Sequence, residues 1–286
     1  MTYVLDRRLN AYRPDLADAR LQGQVEAERF VEGRPARIAA PYADMHPSPQ
    51  SDSGIDTQAV HGETVKVFEE ADGWSWIQCD AFKYVGYVRS ETLEAIGSKP
   101  THIITHPRTF LYSLSDLKSP RTDILSMGSR LIVTGEATTR GTDYLVLEDG
   151  SSVIAQHVVP LDNLPSDPVA MAEALLHTPY LWGGATAFGI DCSGLVTLSH
   201  RVCGIDVQRD SDMQAATYGA VVETRDYRHL RRGDLVFWKG HVGIMIDADN
   251  LLHANGHTMN VAVEPLVEAI ERIGYLYGQP THVRRL

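Results

Sequence analysis

The sequence predicts an α+β domain preceded by two small β-barrels, in a chain of 286 residues. In the first half, short runs with apolar residues at alternate positions are separated by turn residues, which is typical of small barrels. A Pro-rich stretch at 160–168 then has the composition of a linker. After it come two apolar helix patterns and three strand patterns, an order that favours an α+β domain.

The first element is a charged segment over 1–28. Its part from 14 to 28 is compatible with a helix, although the apolar positions Leu16, Ala19, Leu21 and Val25 form only a thin stripe. We therefore expect an N-terminal helical arm that packs on the rest of the protein.

The first predicted barrel occupies residues 29–96. Alternating runs at 64–69 and 74–79 flank the turn pair Asp72-Gly73, which is a strong hairpin signal, and a further run follows at 84–88. The second barrel occupies 97–162, where the same order of strand, long loop, strand, glycine turn and strand recurs in spacing but not in identity. Its candidate strands are 101–105, 109–113, 130–135, 144–147 and 152–157.

The last domain is predicted over 163–286. Asp167 or Ser166 can cap a helix over 169–176 with Pro168 at its first position. A second helix begins near Cys192 and ends at Gly204, and strands follow at 234–238, 242–246 and 251–254.

Composition and charge exclude several classes of protein. Hydrophobic residues make up 43% and charged residues 22%, as in ordinary globular proteins. The net charge of −11 argues against a generally basic surface that binds nucleic acid. No window approaches the apolar length of a membrane span, so we expect no membrane insertion. Charges and Pro14 interrupt any secretory signal near the N-terminus, which favours a cytoplasmic location.

The chain has three cysteines, Cys79, Cys192 and Cys203, and no Cys-x-x-Cys spacing. A disulfide framework and a structural zinc site are therefore not expected, in agreement with a reducing compartment. We interpret Cys79 and Cys203 as small core or structural residues, and His229 and His257 likewise.

Cys192 is the candidate nucleophile. A segment rich in glycine and aromatic residues leads the chain into the start of the second helix, where Cys192 lies. The first-turn N–H groups and the helix dipole stabilise an anion, so the position predicts a lowered thiol pKa.

Two histidines can complete the site. His241 begins an apolar strand and can act as the base, and His253 on the next strand can orient it. They share one face of the sheet only if the connecting loop has an odd number of residues or a bulge. Catalysis by the three residues thus predicts an odd loop. By residue type alone, the same three side chains could instead bind a catalytic zinc ion.

With these residues, the chain resembles the NlpC/P60 cysteine peptidases over about residues 165–286. The resemblance rests on several motifs in the same order: Tyr180, Trp182-Gly183-Gly184, Asp191-Cys192-Ser193-Gly194-Leu195-Val196, Arg232-Gly233-Asp234-Leu235-Val236-Phe237-Trp238, His241-Val242-Gly243-Ile244 and His253. The stretch 209–214 also matches, with no chemical role attached. The resemblance implies a papain-like fold without a cofactor, and it implies that Cys192 is the nucleophile, His241 the base and His253 the orienting residue.

The upstream barrels resemble bacterial SH3-like domains, and the arrangement is similar to γ-D-glutamyl-L-diamino-acid endopeptidases. This implies a murein peptide substrate, L-Ala-γ-D-Glu-diamino acid with a free N-terminus, and a role in peptide recycling. Tyr180, Asp191 and Ser193 would then bind substrate, with Asp191 pairing the terminal ammonium. Glu63 and Tyr84 of the first barrel are candidates for the same amine pocket. A non-catalytic peptide-binding protein and amidase or transpeptidase chemistry remain as alternatives.

Overall fold

The chain forms two compact units in a computed structural model, which describes residues 5–224 and 226–286. One unit comprises the chain up to Ile104 together with Arg108–Leu161, and the other comprises Thr105–Pro107 with Asp162–Leu286. Among the described residues, no helix combines the length and the apolar character that a membrane crossing requires.

The N-terminal segment is not helical, so the predicted helix over 14–28 is wrong. Strands β1 (Leu16–Asp18) and β2 (Arg29–Val31) pair in parallel. Between them the Asp18 side chain accepts the N–H of Arg20 and caps a short 3₁₀ turn. The side chain of Leu16 packs with Phe68 and Trp76. These tertiary contacts outweigh the weak helix pattern, although the segment does pack on the barrel that follows.

The first set of strands forms a five-stranded antiparallel sheet, in the order β8-β7-β6-β3-β9, and a separate pair, β4-β5. Asp72 and Gly73 form the β6–β7 hairpin turn with φ of 52° and 79°. Positive φ at both central residues is what the Asp-Gly signal predicts. The strands are β3 (Arg34–Ile38), β4 (Tyr42–Met45), β5 (Thr57–Val60), β6 (Thr64–Ala71), β7 (Trp74–Cys79), β8 (Val85–Arg89) and β9 (Leu93–Ala95).

The second set forms two antiparallel sheets, β13-β10-β17 and β12-β11-β16-β15-β14, around an apolar core of its own that includes Ile104, Leu125 and Val153. Each of the candidate strands of the sequence overlaps an observed strand. The observed strands are β10 (His102–Ile104), β11 (Arg108–Tyr112), β12 (Arg121–Ser126), β13 (Arg130–Leu131), β14 (Val133–Thr139), β15 (Thr142–Leu147), β16 (Ser152–Ile154) and β17 (Val158–Pro160).

The second unit places helices against an antiparallel sheet of six strands, in the order β20-β25-β21-β22-β23-β24. Helix α2 packs on β22 and β23. The elements are α1 (Pro168–Glu173), β18 (Ala185–Thr186), β19 (Gly189–Ile190), α2 (Cys192–Val202), α3 (Ser211–Thr217), β20 (Ala220–Val221), β21 (Leu235–Trp238), β22 (His241–Met245), β23 (Asn250–Asn255), β24 (Asn260–Pro265), α4 (Leu266–Tyr277) and β25 (His282–Arg285). The predicted α+β order is confirmed.

The start of α1 follows the sequence signal. The Asp167 carboxylate accepts the N–H groups of Val169 and Ala170 at 2.9 and 3.1 Å, and Pro168 is the first helical residue. Of the two caps that the sequence allows, the structure uses Asp167.

Candidate active site

Cys192 is the first residue of α2 and is buried, with 8% of its surface exposed. Its sulfur accepts the backbone N–H of Val242, the residue after His241. The predicted nucleophile therefore lies against the strand that carries the predicted base.

Asp191 caps α2 and holds the loop before it. One carboxylate oxygen accepts the N–H of Gly194 at 2.7 Å, and the other accepts the N–H of Gly183 at 3.0 Å. A capping carboxylate satisfies first-turn N–H groups that have no partner within the helix.

Arg209 completes this network from the far side of the loop. The guanidinium, only 1% exposed, donates to both Asp191 oxygens at 3.0 and 2.7 Å and to Ser193 Oγ at 2.8 Å. Ser193 Oγ in turn donates to Asp191. The carboxylate thus has five donors from the protein, and a substrate ammonium would be a further one. The sequence contains Arg209 in a matching stretch, but nothing in the spacing indicates that it reaches Asp191.

Glycines allow the nucleophile loop to close. A Cβ on Gly194 would overlap the carbonyl oxygen of Gly184, and a Cβ on Gly184 would overlap the backbone of Gly189. Gly183 has φ of 75°, in the left-handed region. These glycines serve the packing of the turn.

The environment of Cys192 corrects the expectation of a low thiol pKa. Burial raises the pKa of Cys192 to about 12, with the Asp191 carboxylate as a further cause. The N–H groups of Val242 and Ser193 and the Arg209 guanidinium act in the opposite direction but do not outweigh burial. The helix start favours an anion in general, but here desolvation and the acidic cap prevail. The resting cysteine is a neutral thiol.

The two predicted histidines meet on one face of the sheet. Met245 pairs with Leu251, and the N–H of Ile246 donates to Asn250, which leaves the three-residue loop 247–249. The loop is odd, as predicted. His241 Nε2 lies 2.8 Å from His253 Nδ1, a hydrogen-bond distance.

Two residues that the sequence analysis did not single out extend this pair. His253 is completely buried, and its Nε2 lies 2.6 Å from Glu264 Oε1. Arg272 of α4 pairs with the same carboxylate. Finding Glu264 requires the β23–β24 register, in which His253 pairs with Ala262, two residues before Glu264.

His241 is a neutral imidazole in this setting. Burial lowers the pKa of His241 to about 3, and the neighbouring His253 ring and the Arg272 guanidinium lower it further, whereas the Glu264 carboxylate raises it. The site therefore pairs a neutral thiol with a neutral imidazole.

A cavity of about 610 Å³ opens beside His241. Tyr180, Trp182, Lys239 and Tyr277 are among its lining residues. Burial raises the pKa of the Tyr180 phenol, and the nearby Cys192 and Asp191 raise it further, so this cavity-lining side chain is also close to the nucleophile. The structure thus brings together Tyr180, Asp191, Cys192, Ser193, His241 and His253.

Glu63 and Tyr84 lie in the first unit and are both buried, with 2% and 4% of their surface exposed. The Glu63 carboxylate accepts the N–H of Val60 at 3.0 Å and closes the turn between β5 and β6. Tyr84 precedes β8 and packs near Phe82. Their part in an amine pocket stays a prediction.

The zinc alternative has little geometric support. Over 5–224 and 226–286, no three His, Cys, Asp or Glu side chains are grouped as ligands of one ion. His241 and His253 direct one nitrogen each at the other rather than at a common point.

Comparison with known proteins agrees with this geometry. Residues 177–273 match the NlpC/P60 family, and residues 45–93 match the bacterial dipeptidyl-peptidase Sh3 domain. The chain is 26% identical over 250 residues to dipeptidyl-peptidase 6 of Lysinibacillus sphaericus, covering 79% of this chain and 90% of that protein. It is 27% identical to gamma-D-glutamyl-L-lysine dipeptidyl-peptidase of Bacillus subtilis, covering 77% and 79%.

A crystal structure of an NlpC/P60 family protein from Bacillus cereus has the same fold. Its TM-score is 0.73 at 22% identity, and the match covers 88% of this chain and 99% of that one. The papain-like fold and the bacterial SH3 domain are thereby established. The chain therefore contains an NlpC/P60 domain at residues 177–273, and it is a cysteine peptidase.

Proposed function

We propose that the protein hydrolyses the γ-D-glutamyl bond before the diamino acid in murein peptides with a free N-terminal L-Ala. The main support is the position of Cys192, whose sulfur accepts the N–H of Val242 on the strand that also carries His241. The His241 imidazole is in turn hydrogen-bonded to His253. The Bacillus subtilis relative is named for a γ-D-glutamyl-L-lysine substrate, which supports the choice of bond.

The mechanism begins from the neutral pair. Cys192 passes its proton to His241 as the sulfur attacks the γ-carbonyl carbon, because neither group is charged beforehand. The backbone N–H of Cys192 at the start of α2 can donate to the oxyanion. His241 then protonates the leaving amine as the C–N bond breaks, which leaves a thioester. Water, deprotonated by His241, hydrolyses the thioester and restores the thiol.

The enzyme would select its substrate by binding the N-terminal ammonium of the peptide. A carboxylate about 4 Å from an ammonium contributes roughly 4 kcal/mol at intermediate dielectric, before desolvation is subtracted. We assign this contact to Asp191, with Ser193 and Tyr180 beside it. Such a pocket would select free peptides over peptides joined to glycan through L-Ala.

We further infer that residues 97–162 form a second SH3-like barrel, because every strand pairing of the first set recurs. Strand β3 pairs with β6 and β9, as β10 pairs with β13 and β17. The pairs β4–β5, β6–β7 and β7–β8 correspond to β11–β12, β14–β15 and β15–β16. The bridge from His46 to Tyr87 corresponds to β11–β16.

The location proposed for this activity is the cytoplasm, where the enzyme would act on imported murein fragments during recycling. The proposed selection of a free amine fits this location, because released peptides have such an amine and intact wall peptides lack it.

Mass-spectrometric hydrolysis of L-Ala-γ-D-Glu-diaminopimelate tests the proposal. We expect release of L-Ala-D-Glu from the free peptide, no release from its N-acetylated form, and no activity in Cys192→Ala. Cys203→Ala is the matched control and should remain active. Equal cleavage of the acetylated peptide would contradict the amine pocket, and binding without cleavage would favour a peptide-binding protein.

A further inference from the structure

We propose that Glu264 is a positioning residue that fixes which nitrogen of His253, and through it of His241, carries the proton in the resting enzyme. The inference rests on the proposed catalytic role of His241. Its basis is a chain of contacts from Arg272 through Glu264 and His253 to His241.

The sheet register places Glu264 beside His253. On β24, Ala262 pairs with His253 and Glu264 pairs with Leu251. Because side chains two apart in a strand share a face, Glu264 is the diagonal neighbour of His253 on that face. The 2.6 Å between His253 Nε2 and Glu264 Oε1 follows from this placement.

The ionised carboxylate then determines the tautomers. Its oxygen is a lone-pair acceptor 2.6 Å from His253 Nε2, and a second lone pair at that distance would be repelled, so the proton of a neutral His253 is placed on Nε2. Nδ1 of His253 is left as an acceptor, and it lies 2.8 Å from His241 Nε2, which must donate to it. The proton of His241 is thus on Nε2, and its Nδ1 keeps a free lone pair. That lone pair is what a base requires.

Arg272 keeps Glu264 an acceptor. Burial alone would raise the pKa of Glu264, but the contacts with His253 and Arg272 outweigh it and lower the pKa to about 2. Glu264 also favours the imidazolium that forms when His241 takes the thiol proton, against burial and the Arg272 guanidinium. The charged or titratable groups near the two histidines include Cys192 from α2, Glu264 from β24 and Arg272 from α4. The cavity beside His241 is also lined by Tyr180, Lys239, His257 and Tyr277.

Histidine side-chain nitrogen NMR of the full chain tests the tautomers without substrate. In the wild type we expect both His241 and His253 to be protonated on Nε2 above pH 7. Glu264→Met removes the acceptor at similar length, and we expect His253 to lose its single tautomer. Glu268→Met, an exposed glutamate of α4, is the matched control and should leave both spectra unchanged.

Kinetics give the second measurement. General acid–base catalysis contributes about 10²–10⁴-fold, so loss of its orientation in Glu264→Met should lower kcat by about 10–100-fold with little change in KM. Glu264→Gln keeps an acceptor without the charge. It should fall between wild type and Met, and the acid limb of its kcat profile should move to lower pH, because an imidazolium is less stable without the anion.

The two proposals fail in different ways. Unchanged tautomers in folded Glu264→Met, or equal kcat in the Met and Gln variants, would overturn the positioning role. If Glu264→Met does not fold, an unshifted acid limb in Glu264→Gln overturns it instead. Inactivity of the wild type on every peptide would contradict the proposed function, whereas the NMR result would still decide the role of Glu264.

Discussion

The two sides of the candidate site are held by different means. On the side of the nucleophile, glycine packing and the buried Asp191–Arg209 ion pair fix the position of Cys192. On the side of the histidines, two strand registers and the carboxylate of Glu264 align the imidazoles. The first arrangement determines where the sulfur is, and the second determines where the protons are.

This difference has a consequence for reactivity. The acidic cap that positions Cys192 also opposes its ionisation, and the buried setting of His241 opposes protonation. Burial therefore favours a neutral thiol and a neutral imidazole over a preformed thiolate–imidazolium pair in the resting site. Charge separation takes place when the thiol attacks.

The largest expected effect follows from this neutral pair and concerns alkylation. With a thiol pKa of about 12, the thiolate fraction of Cys192 rises tenfold per pH unit through the neutral range. Iodoacetamide should thus modify Cys192 roughly 1000-fold faster at pH 9 than at pH 6. Peptide mass spectrometry measures the rate for each cysteine separately. A flat rate between pH 5 and pH 8 would show a preformed ion pair and contradict the comparison.

Arg209→Met is expected to have the next largest effect, because it leaves the Asp191 carboxylate buried without its cation. Breaking one partner of a buried pair costs about 3–5 kcal/mol of the free energy of unfolding. Urea unfolding measures the loss, and activity should fall with it because Asp191 also caps α2. Arg232→Met is the control. Its partners Asp167 and Glu173 are exposed, so it should cost about 1 kcal/mol or less.

The sequence predicted which residues form the site, but it did not predict the thiol pKa or the long-range contacts that hold the site together. Cys192 at a helix start and the odd loop between His241 and His253 depend on local pattern and on strand period, which a sequence carries. Arg209 lies 18 positions after its partner Asp191, and the two meet only when the loop between them folds back. Glu264 lies 11 positions after its partner His253, and the two meet only when β24 pairs with β23. Likewise the thiol pKa depends on burial, and the segment 14–28 depends on contacts with Phe68 and Trp76. Neither can be derived from local pattern.

Gly194→Ala tests the packing of the nucleophile loop. The new Cβ would overlap the carbonyl oxygen of Gly184, which is backbone and cannot rotate away. We expect a loss of about 1–3 kcal/mol in the free energy of unfolding, as for other overpacked sites, together with lower kcat from displaced Cys192. Gly54→Ala is the control, since a Cβ there meets nothing within 4 Å. An unchanged Gly194→Ala enzyme would mean that the loop does not depend on this contact.

The smallest effect concerns a third histidine, His200, which lies in α2 but outside the proton chain. Its ring nitrogens are hydrogen-bonded to the Val196 carbonyl and to the Tyr218 hydroxyl, and burial lowers the pKa of His200 to about 4. Since an unfolded histidine has a pKa of about 6.5, the unfolded state binds more protons between these values. Stability should therefore decline as pH falls below about 6.5, by about 2 kcal/mol at pH 5 from this residue.

His200→Gln separates this contribution from that of His241. At pH 7 the variant should be less stable by about 1 kcal/mol, the ordinary contribution of a hydrogen bond. Between pH 7 and pH 5 it should lose less stability than the wild type, because it has no proton to gain there. kcat at pH 7 should stay unchanged, since His200 touches neither Cys192 nor His241 in the contacts described. Parallel stability curves for the two proteins would show that His200 titrates alike in the folded and unfolded states, whereas a large loss of kcat would place a third histidine within the proton chain.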